Sequence, residues 1–213
     1  MDTEEYHGKL DAILGDESKF MKLESDPTET LKKRISHLNS SANQAQDDIK
    51  FPKVEGDYTP GYCYGTVKTH KNGNPLRPII AQMSSPSYRT AKLLNDILTP
   101  YINCCYSLNS PVEFMDLLKS TEPGYDIASL DVENLFTNVP VEETIDIILN
   151  KVYRSNLKPL KIPESILREQ LRACTMEAPF YSHRGDIFRQ VNGVSMGSPL
   201  GVLFAEAYMA EHS

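Results

Sequence analysis

The chain lacks any run of eighteen apolar residues, and its opening stretch, MDTEEYHGKL, is polar and acidic. Neither a transmembrane helix nor a secretory signal can be written on such a pattern. The expectation is an intracellular protein, nuclear or cytoplasmic, with no membrane contact. Cysteine is scarce: Cys63, the adjacent Cys104 and Cys105, and Cys174 are all there are. They have neither the CxxC spacing of a zinc site nor the density of a disulfide scaffold, so they read as buried thiols. Positive charge is also short, with 22 Lys and Arg against 29 Asp and Glu, a net charge of −7. A protein that coats nucleic acid indiscriminately needs the opposite balance. The deficit is uneven, however. Residues 61–100 hold five basic side chains and one acidic one, while both flanks are acidic. That segment is the one suited to a polyphosphate, although a solvated loop with a few lysines has the same composition.

What is present is 213 residues with 40% apolar and 24% charged side chains, enough for one sizeable core. Apolar spacing predicts helices over 3–23 and 26–38, the second opened by Asp26 and Pro27. Residues 39–60 read as a loop or linker. GYCYGTVKTHKNGNPLRPII predicts two short strands around a turn at Lys71-Asn72-Gly73-Asn74. Helices follow over 87–102, with a break near Pro100, and from Ser110, whose cap is completed by Pro111 and Glu113. Tyr125 to Val132 reads as a buried strand, 141–154 and 162–176 as helices, and PFYSHRGDIFRQ as a hairpin turning at Arg184-Gly185-Asp186. GVSMGSPLGVLFAEAYMAEH then reads as a glycine-rich loop feeding a helix capped by Ser198 and Pro199. Strands and helices alternate without a βαβ rhythm, which predicts an α+β fold.

The apolar run ending in SLDVENLFTNVP finishes on a carboxylate, Asp131. A buried carboxylate is costly unless paired, hydrogen-bonded or bound to a metal. By itself the stretch also suits an aspartate that caps the following turn. Three further stretches accompany it: YGTVKTHKNGNPLRPII, FRQVNGVSMGSPLGVLFAEAYM and the leader KFMKLESDPTETL. In order and spacing the set resembles the reverse transcriptases of Penelope-like retroelements, over about residues 2–212. The resemblance implies a right-hand polymerase fragment with an antiparallel sheet and packed helices. It divides the chain into a helical leader at 1–59, fingers at 60–122 and partial palm at 123–213.

The implied activity is RNA-directed DNA polymerization, with RNA template, DNA primer and dNTPs as partners and Mg²⁺ or Mn²⁺ as cofactor. Carried over residue by residue, Asp131 and the Val132 carbonyl would hold metal, and Phe136 would exclude a 2′-hydroxyl, core packing being its other role. Lys68 and Arg77 would clamp the triphosphate, with Lys71 as the alternative cation. Gln190 and Gly193, with Met196, Gly197, Ser198 and Pro199, would shape the floor under the templating base pair. Thr66-Val67 stands where the family usually has Leu-Pro. The family's second palm motif, an aromatic, a variable residue and two aspartates, does not occur among the 213 residues. The match therefore reads as cut at both ends, without thumb or GIY-YIG nuclease, and implies a fragment inactive alone. The alternative expectation is a noncatalytic retroelement remnant that binds nucleic acid or protein weakly.

Overall fold

The computed structural model describes residues 1–102, 108, 110–121, 124, 126–129, 131–155 and 157–212. Helix α1 (Thr3–Leu14) is started by Asp2, whose carboxylate accepts from the Glu5 amide, and stops at Gly15. The helix predicted over 3–23 thus ends early. Asp16 folds the chain back through its bonds to the Ser18 amide and hydroxyl, and Phe20–Lys22 becomes strand β1. Helix α2 (Thr28–Ala45) runs seven residues into the predicted linker. Its Asn39 is the reason: the amide donates to Thr90 Oγ1 at 2.8 Å and Pro52 O at 2.9 Å, and the carbonyl accepts from Gln170 at 3.0 Å. A buried asparagine so satisfied costs the helix little. The rest of that linker packs inward through Phe51 and Val54.

Strands β2 (Gly61–Val67) and β3 (Leu76–Ala81) form the expected hairpin, and α3 (Tyr88–Leu98) ends in a 3-10 turn at Pro100. Helix α4 (Pro111–Ser120) has the predicted Ser110 cap, with Oγ accepting from the Glu113 amide at 3.2 Å, yet it buries no residue. A one-turn α5 (Leu135–Asn138) precedes α6 (Val141–Tyr153) and α7 (Glu164–Thr175). The second hairpin comprises β4 (Pro179–Tyr181) and β5 (Ile187–Gln190), turning through Gly185 at φ +82°. Helix α8 is Gly201–His212. It begins after the predicted Ser198-Pro199 cap, because Ser198 instead closes a separate turn in which its carbonyl accepts from the Gly201 amide.

The five strands make one sheet in the order β1-β5-β4-β2-β3. It is mixed, not antiparallel as expected, because β4 lies parallel to β2 through Gly61–Phe180 and Tyr62–Tyr181. One face packs on α1 through Leu10, Leu14, Phe20, Cys63, Leu76, Ile80 and Phe180. A larger core joins α2, α3, α6, α7 and α8, with Ile35, Leu94, Ile148, Leu167 and Phe204 fully or almost fully buried. Each such side chain contributes about 1.5–3 kcal/mol by leaving water. Burial pushes the Cys63 thiol up to about 12 and raises that of Cys174 as well, so both are inert at neutral pH. Cys104 and Cys105 lie outside the described residues. Among the described residues no helix is long and apolar enough to cross a membrane.

The buried strand expected over 125–132 is not found among the described residues of that stretch. Its described residues, 126–129 and 131–132, are exposed and belong to no strand, with Ile127 74% and Val132 47% accessible. Apolar alternation marks a candidate strand, but a strand needs a neighbouring ladder. None of β1–β5 pairs with it. Tyr125 and Leu130 lie outside the described residues.

Candidate nucleotide and nucleic-acid site

Three of the five cations of the basic segment, Lys68, Lys71 and Arg77, belong to the β2–β3 hairpin, while Arg89 and Lys92 lie on α3, and the hairpin turn is fixed at both ends of the loop. The Lys68 amide donates to Pro75 O at 2.9 Å, and Gly73 and Asn74 adopt φ +75° and +44°. Helix α1 braces this turn from below. Lys9 Nζ donates to Gly73 O at 2.6 Å and Asn74 O at 3.3 Å, while the Tyr6 hydroxyl bonds both the amide and the carbonyl of Gly65. The result is a supported loop carrying Lys68 and Lys71, with Arg77 beside it at the start of β3.

Opposite it lies the segment 131–136. Asn134, at φ +49°, turns the chain from Asp131 into α5, and Lys68 Nζ reaches Asn134 Oδ1 at 3.4 Å across 66 positions of sequence. The third wall is the loop 194–200. The Val194 amide donates to Phe136 O at 2.8 Å, and the Ile80 amide donates to Met196 O at 2.9 Å, which seats the loop along β3. Gly197 makes this seating possible. It has φ +114°, and a Cβ there would lie 2.5 Å from Ile80 O.

These walls enclose an open cleft of about 720 Å³ lined by Lys68, Lys71, Arg77, Asp131, Val132, Phe136, Met196, Gly197 and Ser198. That volume suits a small-molecule ligand. Asp131 is exposed and has no hydrogen-bond or ion-pair partner among the described residues, so it does not cap the following turn. Lys71 and Arg77 are exposed and likewise have no side-chain partner there. Phe136 is half-buried, its ring edge 3.5 Å from the place a Cβ on Gly201 would occupy, so it lines the cleft while resting on the start of α8.

Three expected floor residues are not cleft-lining. Gln190 is 4% exposed on the inner face of β5, with Nε2 donating to Asn192 O at 2.9 Å. Gly193 is pressed against the Thr137 backbone, where a Cβ would lie 2.6 Å from Thr137 O. Pro199 stands beyond the lining residues. In their place the cleft has Asn134, Glu133 and Ser195, the last buried with an Oγ that finds no partner. Asn134 could have been noticed from the asparagine preference for left-handed backbone. Ser195, Tyr6 and Lys9 give no signal in sequence, because their roles come from distant contacts.

The donor set can bind an anion on one side and a cation on the other. Asp131 and the Val132 carbonyl are hard oxygen donors of the kind that hold Mg²⁺ when phosphate and water complete the shell. Among the described residues no group of three or more His, Cys, Asp or Glu side chains is placed to hold a metal ion. The pair Asp47-Asp48 lies elsewhere: Asp48 binds Lys161 at 2.9 Å, and this hydrogen bond lowers its pKa. No family model, curated protein or solved structure matches the chain.

Proposed function

We propose that this cleft is the nucleotide site of a reverse transcriptase of the Penelope-like kind, an RNA-directed DNA polymerase acting on an RNA template, a DNA primer and dNTPs. The observation that supports the reading is convergence. Residues of three separate motifs, Lys68 to Arg77, Asp131 to Phe136 and Met196 to Ser198, meet around one cleft. In this reading Lys68, Lys71 and Arg77 bind and orient the triphosphate, Arg77 through its planar fork and the lysines as point charges. Asp131 and the Val132 carbonyl would hold Mg²⁺ or Mn²⁺. When bound, the ion neutralises phosphate charge and stabilises in-line displacement. Phe136 sits under the sugar, and the backbone of 196–198 supports the nascent base pair.

A single cleft aspartate among the described residues favours a second reading as well, a noncatalytic retroelement remnant that binds nucleic acid or protein weakly. The first reading requires dNTP binding, which the second does not. The sugar contact provides a test. Phe136→Leu, which keeps most of the packed volume, and Phe136→Ala are expected to shrink the preference for dATP over ATP by about tenfold, measured by competition binding with Mg²⁺. An unchanged preference in variants that still melt cooperatively would leave Phe136 as packing for α8 alone.

A further inference from the structure

Strand β1 is an edge of the five-stranded sheet, and among the described residues only β5 pairs with it. The Leu23 amide donates to Ile187 O and the Val191 amide to Lys19 O, each at 2.8 Å. Antiparallel pairing turns alternate residues toward the partner strand, so the backbone groups of Phe20 and Lys22 point to the open side. Asp16 O takes the Phe20 amide at 2.9 Å. The Phe20 carbonyl and the Lys22 amide and carbonyl are left without a partner among the described residues. Beside this edge, where α1 stops at Gly15, the sheet face opens into a cavity of about 520 Å³. Its lining is apolar at Leu14, Phe20 and Phe188 and acidic at Asp11, Glu17 and Asp186.

Charge selects the occupant. Lys22 binds Asp186 at 2.8 Å and Arg184 binds Asp11 at 2.6 Å, while Glu17 is exposed and has no ion-pair or hydrogen-bond partner among the described residues. Helix α1 also ends at the cavity with no basic residue in its last turn to offset its negative pole. The place therefore takes one more cation, and its apolar walls suit the methylene stem that carries one. A phosphodiester backbone is repelled by the same lining. A bare sheet edge with a side-chain pocket next to it is the arrangement that takes up an extended peptide: backbone bonds supply affinity and the pocket selects a side chain. We propose that β1 and this cavity bind an extended segment of a partner protein, which joins the sheet as a new edge strand and seats one arginine or lysine side chain against Glu17 and the end of α1. The three residues of β1 suit one short segment and are too few for open-ended pairing. The site shares no lining residue with the cleft, so it stands independently of the function proposed above.

Fluorescence anisotropy with a labelled acetyl-TVRVT-amide peptide tests it, beside an analogue in which glutamate replaces the arginine. The arginine peptide is expected to bind at least tenfold more tightly than the glutamate analogue, and Glu17→Gln to weaken it by about fivefold. Glu17→Lys should reverse the order and favour the glutamate analogue. The peptide should also slow hydrogen exchange at the Lys22 amide, and methylating its own backbone nitrogens should abolish binding although the arginine is kept, because the added strand needs those bonds. Affinity for dATP–Mg²⁺ should not move in the Glu17 variants, so failure of the peptide site and failure of the cleft reading are separate results. No binding by the parent chain, equal affinity for the arginine and glutamate peptides, or binding that leaves Lys22 exchange unchanged would overturn the proposal. So would displacement of the peptide by dT₁₂, which would assign the edge to nucleic acid, or a dimer of the parent chain that the peptide dissolves, which would assign it to a second copy.

Discussion

Replacing Lys68 and Arg77 together by alanine is expected to weaken Mg²⁺-dATP binding by about a hundredfold, because the proposed site would lose two charge-assisted contacts to the triphosphate. The two side chains differ in what they lose. Lys68 is already tied to Asn134 Oδ1 at 3.4 Å, so its removal also frees the turn that positions Asp131. Arg77 has no partner among the described residues, so its loss is one of ligand contact alone. Arg77→Lys should therefore recover only part of the affinity, since a lysine cannot form the bidentate fork. Oligonucleotide binding by the double variant should also lose salt dependence, by roughly 0.7 in log–log slope for each phosphate contact removed from a single strand. Isothermal titration and a salt series measure both effects. Unchanged dATP affinity with an unchanged slope would show that these cations only decorate the hairpin.

The second large effect concerns the loop that closes the cleft. Gly197→Ala places a methyl group 2.5 Å from Ile80 O at a backbone angle of φ +114°. The loop must then leave β3, breaking the Ile80 N–H bond to Met196 O. Left-handed strain of about 1–2 kcal/mol and displaced packing of about 1–3 kcal/mol together suggest a loss of about 3 kcal/mol. For a domain of this size that lowers Tm by roughly 6–12 °C, and dATP binding should fall with it. Gly73→Ala is the control. Its φ is +75°, but nothing lies within 4 Å of the added carbon, so only the strain remains. Equal melting shifts in the two variants would show that the contact with β3 does not hold the loop.

Local signals in the sequence specify structure where they are self-contained. The turn Lys71 to Asn74 gives the hairpin, Ser110 gives the α4 cap, and the spacing within 141–154 gives α6. The meeting of the cationic turn with Asp131, Phe136 and the 196–198 loop was legible from motif order through resemblance, not from spacing. Long-range pairing was not legible. Phe20–Lys22 fits a helical period until its register with β5 turns it into an edge strand. Gln190 looked like a floor residue, yet alternation along β5 sends it inward with Phe188, beside Phe20. Polar composition hid the last turns of α2, because what keeps Asn39 helical is a bond to Thr90, 51 positions away. The apolar content of 125–132 suggested burial, whereas its described residues are exposed for want of a ladder partner.

Asp131 is the residue on which the proposed chemistry turns, since it offers the cleft an exposed carboxylate with no protein partner among the described residues. A calorimetric titration of dATP into the protein, with Mg²⁺ and with EDTA, for the parent chain and Asp131→Asn, tests that role most directly. Mg²⁺ alone should bind weakly, because one carboxylate and one carbonyl leave most of its shell to water. With dATP present, Mg²⁺ should tighten binding to the parent chain by about tenfold or more, and Asp131→Asn should abolish that gain while leaving the metal-free binding by Lys68, Lys71 and Arg77 in place. An equal Mg²⁺ gain in parent and Asp131→Asn proteins would contradict the assignment and remove the metal from this cleft.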